Sequence, residues 1–185
     1  MPRPLRVQAP GVYHLTARGV RRTALFRDGA DRGAWVDLLP TVCGRYRWTC
    51  IAYCVMTTHY HLLVRTRDEN LAAGMQWLNG TWGRLFNRRH GETGHAHRAR
   101  YWSDYVDRDE HLLESGRYIP LNPVRAGLCL RPADWPSSSY AATIGREPHG
   151  VWLDPTELLA YFGLGREAPL RYQEFVEPAA PELAA

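Results

Sequence analysis

The most restrictive feature of this sequence is a pair of strand-like segments separated by only three residues. Residues 47–55 (RWTCIAYCV) and 59–65 (HYHLLVR) are rich in β-branched, aromatic and aliphatic side chains, and residues 56–58 (MTT) stand between them. Parallel strands need a crossover of a dozen or more residues, so a connection this short predicts an antiparallel hairpin. The fold must therefore contain an antiparallel sheet.

The remaining elements are arranged around this hairpin. Residues 12–17 (VYHLTA) predict a first strand, and residues 95–106 predict one or two more. Apolar residues spaced by three and four predict a helix from about residue 31, which Pro40 ends or kinks, and a second helix over 70–89. Acidic residues from Asp107 onward predict the start of a third helix that reaches about Leu121.

The order strand, helix, strand, strand, helix, strand, helix is that of a split βαβ unit. It predicts an α+β, ferredoxin-like fold: an antiparallel sheet with helices on one face. The 185 residues suit one domain with a small appendage. Proline, serine and glycine become more frequent after Arg131, which suggests a main domain over 1–131, an extension over 132–175 and a disordered tail over 176–185.

Composition excludes several classes of protein. No apolar run approaches the roughly 18–20 residues of a membrane-spanning helix, and the first residues lack the apolar core of a secretory signal, so we expect a cytoplasmic protein without a membrane partner. The four cysteines form no Cys-x-x-Cys pair and are interpreted as reduced packing residues.

Charge is unevenly distributed along the chain. All 23 basic residues are arginine; residues 1–131 hold 20 of them against 11 acids, whereas residues 132–185 hold three against eight acids. A guanidinium pairs with phosphate or a guanine edge through two parallel bonds, so the first two thirds favour a nucleic-acid partner. A codon bias for arginine would explain the missing lysine but not this asymmetry.

His59 and His61 are the first candidate functional residues. Side chains alternate across a strand, so these two imidazoles share one face of the sheet and could hold one metal ion. Taken alone, such a pair is more often a pair of exposed or hydrogen-bonded histidines than a metal site.

Tyr118 and Asn122 are the second pair. If the third helix persists through residues 117–127 (RYIPLNPVRAG), they stand at i and i+4 on one face and present a phenol beside an amide. Pro120 lacks a helical N–H and could distort this pairing. A tyrosine near a helix end also commonly packs its ring and bonds its hydroxyl to backbone.

These motifs together resemble one family. The sequence around the two histidines, residues 86–90 (FNRRH) and residues 117–127 occur in the order found in the REP-associated tyrosine transposases, which belong to the HUH single-strand transposases. The resemblance spans roughly residues 10–140. It implies the HUH transposase fold and a transposase or endonuclease that cleaves and rejoins single-stranded DNA beside imperfect palindromic hairpins.

The resemblance also assigns roles. Tyr118 would be the nucleophile that forms a 5′-phosphotyrosine link and frees a 3′ hydroxyl. His59, His61 and Asn122 would bind a divalent metal, Mg or Mn, and two imidazoles suit Mn better than Mg. Domain 1–131 would be catalytic, and the extension would pack on or near the DNA-binding face.

Eight arginines are the candidate DNA contacts: Arg18, Arg21, Arg22, Arg84, Arg88, Arg89, Arg100 and Arg125. The resemblance is compatible with a monomer or a homodimer, and with Tyr118 acting in either subunit. It places the protein in the bacterial cytoplasm, at the nucleoid. The sequence departs from the family pattern at residues 20, 57–58 and 97–99. These departures bear on which DNA sequence is recognised and not on the reaction.

Two other functions remain open. A catalytically silent relative would bind structured DNA or RNA as a regulator without turnover. A metal-dependent hydrolase would use water in place of the phenol, and Tyr118 would then be structural.

Overall fold

The computed structural model describes residues 9–19, 24–94, 96 and 101–177. Its first elements are β1 (Gly11–Arg18), α1 (Gly29–Val36), α2 (Leu39–Tyr46), β2 (Trp48–Val55), β3 (His59–Thr66), α3 (Leu71–His90), β4 (Trp102–Val106) and α4 (Asp109–Arg125). Short helices follow at α5 (Tyr140–Thr143), α6 (Thr156–Leu159) and α7 (Glu167–Val176), with 3₁₀ turns at Pro132–Asp134 and Ala160–Phe162. The predicted order is confirmed, with the first helix divided in two.

The division of that helix has a local cause. Pro40 occupies the first turn of α2, where its missing N–H is not needed, and Leu38 provides the helix start. α2 ends at Tyr46, and the next residue, Arg47, has a positive φ of 56° that turns the chain into β2.

The four strands in the described part of the chain form one antiparallel sheet in the order β2-β3-β1-β4. β2 and β3 pair as the predicted hairpin, with a register shift between Cys50 and Ala52. β1 lies between β3 and β4, so Thr16 is opposite His61 on one side and Trp102 on the other. This pairing joins segments that are far apart in sequence.

The sheet is covered on both faces, whereas the sequence predicted helices on one face. One core lies between the sheet and α1–α3 and includes Leu15, Leu62 and Trp82. The second core includes Leu63 and Ile119 and joins the sheet to α4 and the C-terminal helices. β2 is buried at nearly every position, as expected of a strand with helices on both sides.

The helix α4 continues through Pro120 and Pro123 to Arg125. A proline at 120 cannot donate to the carbonyl of Gly116, four residues earlier. The Tyr172 hydroxyl of α7 donates to that carbonyl over 2.7 Å and replaces the lost bond. A Cβ on Gly116 would lie 2.7 Å from a methyl carbon of Leu158 in α6, so the glycine permits the close contact between α4 and the C-terminal segment.

The C-terminal segment also covers the outer edge of β2. Val55 N–H donates to Ser137 O, and Cys50 N–H donates to Trp152 O, so part of the edge is paired with the protein's own backbone. An edge covered in this way is not available for pairing with another chain. α7 ends at the buried Val176, and residues 178–185 of the predicted tail lie outside the described residues.

The membrane criterion can be applied to the described helices. In this part of the chain, no helix combines the length and the apolarity needed to cross a bilayer.

Candidate active site

The two histidines of β3 lie on the sheet face that α4 covers. The ring centroids of His59 and His61 are 5.0 Å apart, as the alternation of the strand predicts. His61 is buried, and His59 is partly exposed at the start of the strand. The Nδ1 of His59 lies 3.1 Å from the Thr58 hydroxyl. The Nε2 on the other side of the ring takes no part in that bond.

His61 is held from the neighbouring strand β1. Its Nδ1 lies 2.9 Å from His14 Nε2 and 3.1 Å from the Thr16 hydroxyl. Its Nε2 is buried without a hydrogen-bond partner of normal geometry among the described residues. A ring proton on Nδ1 could be donated to His14 or Thr16, and in that tautomer the lone pair of Nε2 is free.

Burial keeps this group of histidines neutral. Loss of hydration lowers the pKa of His61 to about 2, and the neighbouring His14, His59 and Arg18 act in the same direction. Burial also lowers the pKa of His14 to about 4 and, with Arg18, the pKa of His59 to about 4. Neutral imidazoles with free lone pairs are the form that binds a metal ion.

Tyr118 and Asn122 approach the histidines from α4. The Tyr118 ring lies 5.2 Å from the His61 ring and 6.0 Å from the His14 ring, and 37% of the residue is exposed. The amide nitrogen of Asn122 donates to the Tyr118 carbonyl over 2.8 Å, which leaves its oxygen available. Asn122 also interacts with His61 and opposes the lowering of its pKa. The i and i+4 pairing therefore survives Pro120.

The donor set of these residues fits a divalent metal. His59 and His61 share one face of β3, and Asn122 approaches His61 from α4. The buried Nε2 of His61, which has no hydrogen bond of normal geometry to a described residue, is the nitrogen that a cation would use. Among the described residues, no three His, Cys, Asp or Glu side chains form a metal cluster, and Asn122 is the third donor that the family resemblance implies.

The candidate arginines fall into separate groups. Arg18 ends β1 opposite His59, and the Arg125 guanidinium lies 5.5 Å from the centre of the Tyr118 ring. The helix α3, which carries Arg84, Arg88 and Arg89, packs on the opposite face of the sheet. The remaining three, Arg21, Arg22 and Arg100, lie outside the described residues.

Arg89 differs from its neighbour Arg88. Its guanidinium forms two bonds of 2.8 Å with Asp28 and also pairs with Asp31, which is fully buried at the start of α1. Arg88 is exposed, and none of the described acidic groups pairs with it. Arg89 therefore joins the end of α3 to the start of α1.

Sequence reasoning did not single out His14 and Thr16 as part of this site. Both are polar residues buried on a strand, at 7% and 8% exposure, and both lie on the same face as His59 and His61. The signal was present in the sequence, since they alternate with the apolar Tyr13, Leu15 and Ala17. The pairing of β1 with β3, which brings them to His61, could not be read from the sequence.

Comparisons with known proteins identify the family and the fold of this chain. Residues 10–121 match the model of a family described as "Transposase IS200 like". A Haemophilus influenzae protein provisionally named a REP-associated tyrosine transposase is 29% identical over 117 residues, which are 57% of this chain and 66% of that protein. This chain thus spans just under two thirds of that curated relative.

A solved structure of a REP-associated tyrosine transposase bound to a REP hairpin has the same fold. The TM-score is 0.67 at 18% identity, over 84% of this chain and 94% of the other. The predicted resemblance and the predicted α+β sheet are thereby confirmed. With the family model covering more than half of its length, the chain belongs to the IS200-like transposases and resembles their REP-associated tyrosine branch.

Proposed function

We propose that this protein is a metal-dependent single-strand DNA endonuclease and transposase that cleaves and rejoins DNA through a 5′-phosphotyrosine intermediate. The observation that carries the proposal is the position of the Tyr118 ring, 5.2 Å from the ring of the buried His61 in the same chain. A tyrosine that served only packing would not need to stand, partly exposed, beside an imidazole with a free lone pair.

The proposed substrate is single-stranded DNA beside an imperfect hairpin of the REP type. Two observations support it: the chain belongs to a transposase family, and a protein of the same fold has been solved with a REP hairpin. The excess of arginine in residues 1–131 supports a polyanionic partner.

In the proposed reaction, Tyr118 is the nucleophile. The phenol loses its proton, its oxygen bonds to the scissile phosphorus, and the bond from phosphorus to the 3′ oxygen breaks. The 3′ oxygen takes up a proton and leaves as a hydroxyl, which can later attack the phosphotyrosine and rejoin strands. One bond from phosphorus to oxygen replaces another and the oxidation state of phosphorus does not change, so the step needs no oxidant or reductant.

His59, His61 and Asn122 would hold the cation, Mg or Mn, and the two imidazoles favour Mn. Such an ion, when bound, neutralises charge on the nonbridging phosphate oxygens and polarises the phosphorus. The chain's own part is to hold the three donors in place: β1 orients His61 through Nδ1, and α4 orients Asn122 through its bond to the Tyr118 carbonyl.

Two arginines near Tyr118 are suited to stabilise the negative charge that develops on the phosphate during the reaction. Arg125 lies over the Tyr118 ring, and the positive charge of Arg18 helps to lower the pKa of both His59 and His61. A positive charge at each place would attract the scissile phosphate and stabilise negative charge on its oxygens. Because one chain supplies both the histidines and the tyrosine, we propose that a monomer is sufficient for cleavage.

The test is a denaturing gel of the protein incubated with hairpin DNA that carries single-stranded flanks and a label at the 5′ or 3′ end, with Mg²⁺ or Mn²⁺. The wild type should give a cut strand and a covalent protein-DNA adduct. Tyr118→Phe should lose both and retain hairpin binding, because only the hydroxyl is removed. Tyr161→Phe, an exposed tyrosine on the C-terminal segment, is the matched control and should behave as wild type.

Each alternative has its own outcome in this experiment. Cutting without an adduct would indicate attack by water and remove Tyr118 from the reaction. Binding without cutting under either ion would indicate a regulatory DNA-binding protein. An adduct that persists in Tyr118→Phe would contradict the proposed nucleophile.

A further inference from the structure

A cavity of about 540 Å³ lies beside the Tyr118 ring, between α4 and the strands β1 and β4. This volume is within the range of roughly 300–1,000 Å³ found for small-molecule sites. The reaction proposed above uses only one end of it, where His61 and Tyr118 meet. The other end is lined by Trp102, His111, Glu114 and Ser115, and none of these has a role so far.

The two ends of the cavity differ in charge. At the histidine end, Arg18 is part of the lining and offers a positive charge. At the other end, Glu114 is part of the lining and has no hydrogen bond or ion pair to any described residue, while the lining residue His111 has its Nε2 3.4 Å from the Asp104 carboxylate outside the cavity. A phosphate would be attracted to the first end and repelled by the Glu114 carboxylate of the second.

Trp102 gives the second end an aromatic wall. Trp102 lies on the face of β4 that is turned toward α4, and 53% of the residue is exposed even though it belongs to a strand. Its ring meets His14 at 86° with the centroids 5.8 Å apart, and Tyr118 lies 6.0 Å from the same His14 ring. An exposed indole this near to the nucleophile is suited to stack a nucleobase.

We infer that this end of the cavity binds the base of the nucleotide next to the scissile phosphate and prefers guanine. The inference rests on the proposed function, because that function places the scissile phosphate between Tyr118 and the histidines. With the phosphate at the positive end, the adjoining base extends toward Trp102, and its hydrogen-bonding edge meets Glu114. Bases held for recognition are read in this way, by stacking and by bonds to one edge.

Guanine follows from the hydrogen-bonding capacity of Glu114. An ionised carboxylate only accepts hydrogen bonds and can accept two side by side. Guanine presents an N1–H and an N2 amine next to each other, whereas adenine and cytosine present one amine beside an acceptor and thymine a single N–H. An acceptor nitrogen directed at a carboxylate would be repelled, so the other three bases are disfavoured.

The test uses nucleoside monophosphates, which need neither a known hairpin nor cleavage. Titrations of the full chain with dGMP and dIMP, followed by the NMR signal of the Trp102 indole N–H, compare two ligands that differ only in the N2 amine. We expect dGMP to shift that signal and to bind at least about fivefold more tightly than dIMP, the lower end of the effect of one bidentate contact. The dAMP, dCMP and dTMP titrations should resemble dIMP or be weaker.

Two variants distinguish a specific contact of Glu114 from the general effect of removing a negative charge from α4. Glu114→Gln should abolish the difference in affinity between dGMP and dIMP. Glu110→Gln, which removes an exposed carboxylate in the first turn of the same helix, is the matched control and should preserve that difference.

Trp102→Leu tests the stacking surface. It keeps apolar bulk but removes the aromatic ring, so the binding of all five nucleotides, measured by calorimetry, should weaken together.

Several results would overturn the inference. They are a Trp102 signal unaffected by every nucleotide, equal affinity for dGMP and dIMP, or a preference that survives Glu114→Gln. The result is independent of the adduct test: loss of the adduct in the wild type would refute the proposed reaction, while the dGMP preference would still report on the pocket. In cleavage-competent DNA, replacing guanine by hypoxanthine at the selected position should lower the adduct yield at limiting DNA.

Discussion

At the scale of single residues, the site depends on side chains that do no chemistry themselves. His61 is directed by His14 and Thr16, which occupy its Nδ1 at 2.9 and 3.1 Å and leave Nε2 for a ligand. Such outer partners fix the tautomer and the orientation of a ligating imidazole, and their loss typically weakens metal affinity by about 10- to 100-fold. For the proposed metal site, we therefore expect His14 to act as a positioning residue.

We expect His14→Phe to raise the dissociation constant for Mn²⁺ by about tenfold or more, because the ring is kept but the bond to His61 is lost. The measurement is the electron paramagnetic resonance signal of free Mn²⁺ in the absence of DNA. His14→Gln, which retains an acceptor, should recover most of the affinity, and His111→Phe serves as the control from the far end of the cavity. Unchanged Mn²⁺ affinity in His14→Phe would show that His14 is only a packing residue.

Arg89 and Asp28 permit a prediction on pH. The bonds from Arg89, together with a smaller contribution from the Asp31 N–H, lower the pKa of Asp28 from 3.8 to about 2, so the folded protein binds this proton less readily than the unfolded chain. The resulting stabilisation is complete above the ordinary pKa and is lost as the pH falls from about 4 toward 2. In Arg89→Met, the stability measured by urea unfolding should therefore depend less steeply on pH across this window.

Arg88→Met is the control for that experiment, because Arg88 is exposed and none of the described acidic groups pairs with it. Its pH profile should match wild type. Identical acid profiles for Arg89→Met and wild type would show that the pairing with Asp28 is not maintained in solution.

At the scale of elements, the helix that carries Tyr118, the proposed nucleophile, is supported from the C-terminal segment. Pro120 leaves the Gly116 carbonyl without its helical partner, and the buried Tyr172 hydroxyl of α7 supplies one. Leu158 of α6 packs against the same glycine. Residues beyond the family match, which ends at 121, therefore hold Tyr118 in place.

We expect Tyr172→Phe to lower the free energy of unfolding by about 1–3 kcal/mol, the usual cost of leaving a buried carbonyl unsatisfied. Urea denaturation measures it, and the rate of adduct formation should fall in parallel because α4 loses its support. Tyr161→Phe removes an exposed hydroxyl that bonds to Asp109 and should change stability by no more than about 0.5 kcal/mol. Equal losses in the two variants would contradict a special role for Tyr172.

At the scale of the whole molecule, the candidate DNA-binding arginines within the described residues lie on opposite faces of the sheet. Arg18 and Arg125 belong to the active-site face, whereas Arg84 and Arg88 lie one turn apart on α3, across the sheet. A DNA molecule that contacts both groups has to pass around the edge or the end of the sheet. The arginines of α3 would then contribute to binding of the hairpin and not to cleavage.

The double variant Arg84→Met with Arg88→Met should reduce the slope of log affinity against log salt by about 1.5 to 2 for hairpin DNA. Adduct yield at saturating DNA should stay close to wild type. Arg146→Met with Arg166→Met removes the same charge from the C-terminal segment and should leave the slope unchanged. An unchanged slope in the α3 variant would place the DNA on the active-site face alone.

Local patterns were sufficient for most of the elements and for part of the site. The three-residue connection required the hairpin, the alternation of β3 placed His59 and His61 on one face, and the spacing of Tyr118 and Asn122 held despite Pro120. These properties depend on residues near one another in the chain, where backbone geometry leaves few choices. The order of the motifs along the chain also indicated the family, and the comparisons confirm that resemblance.

Long-range pairing decided the rest. Only the insertion of β1 between β3 and β4 brings His14 and Thr16 to His61 and turns Trp102 toward the same cavity. Only the packing of α4 and the C-terminal helices covers the second face of the sheet, and only α7 replaces the bond that Pro120 removes. Contacts of this kind depend on which strands pair and in which register, and apolar strands of similar length allow several pairings with nearly the same local pattern.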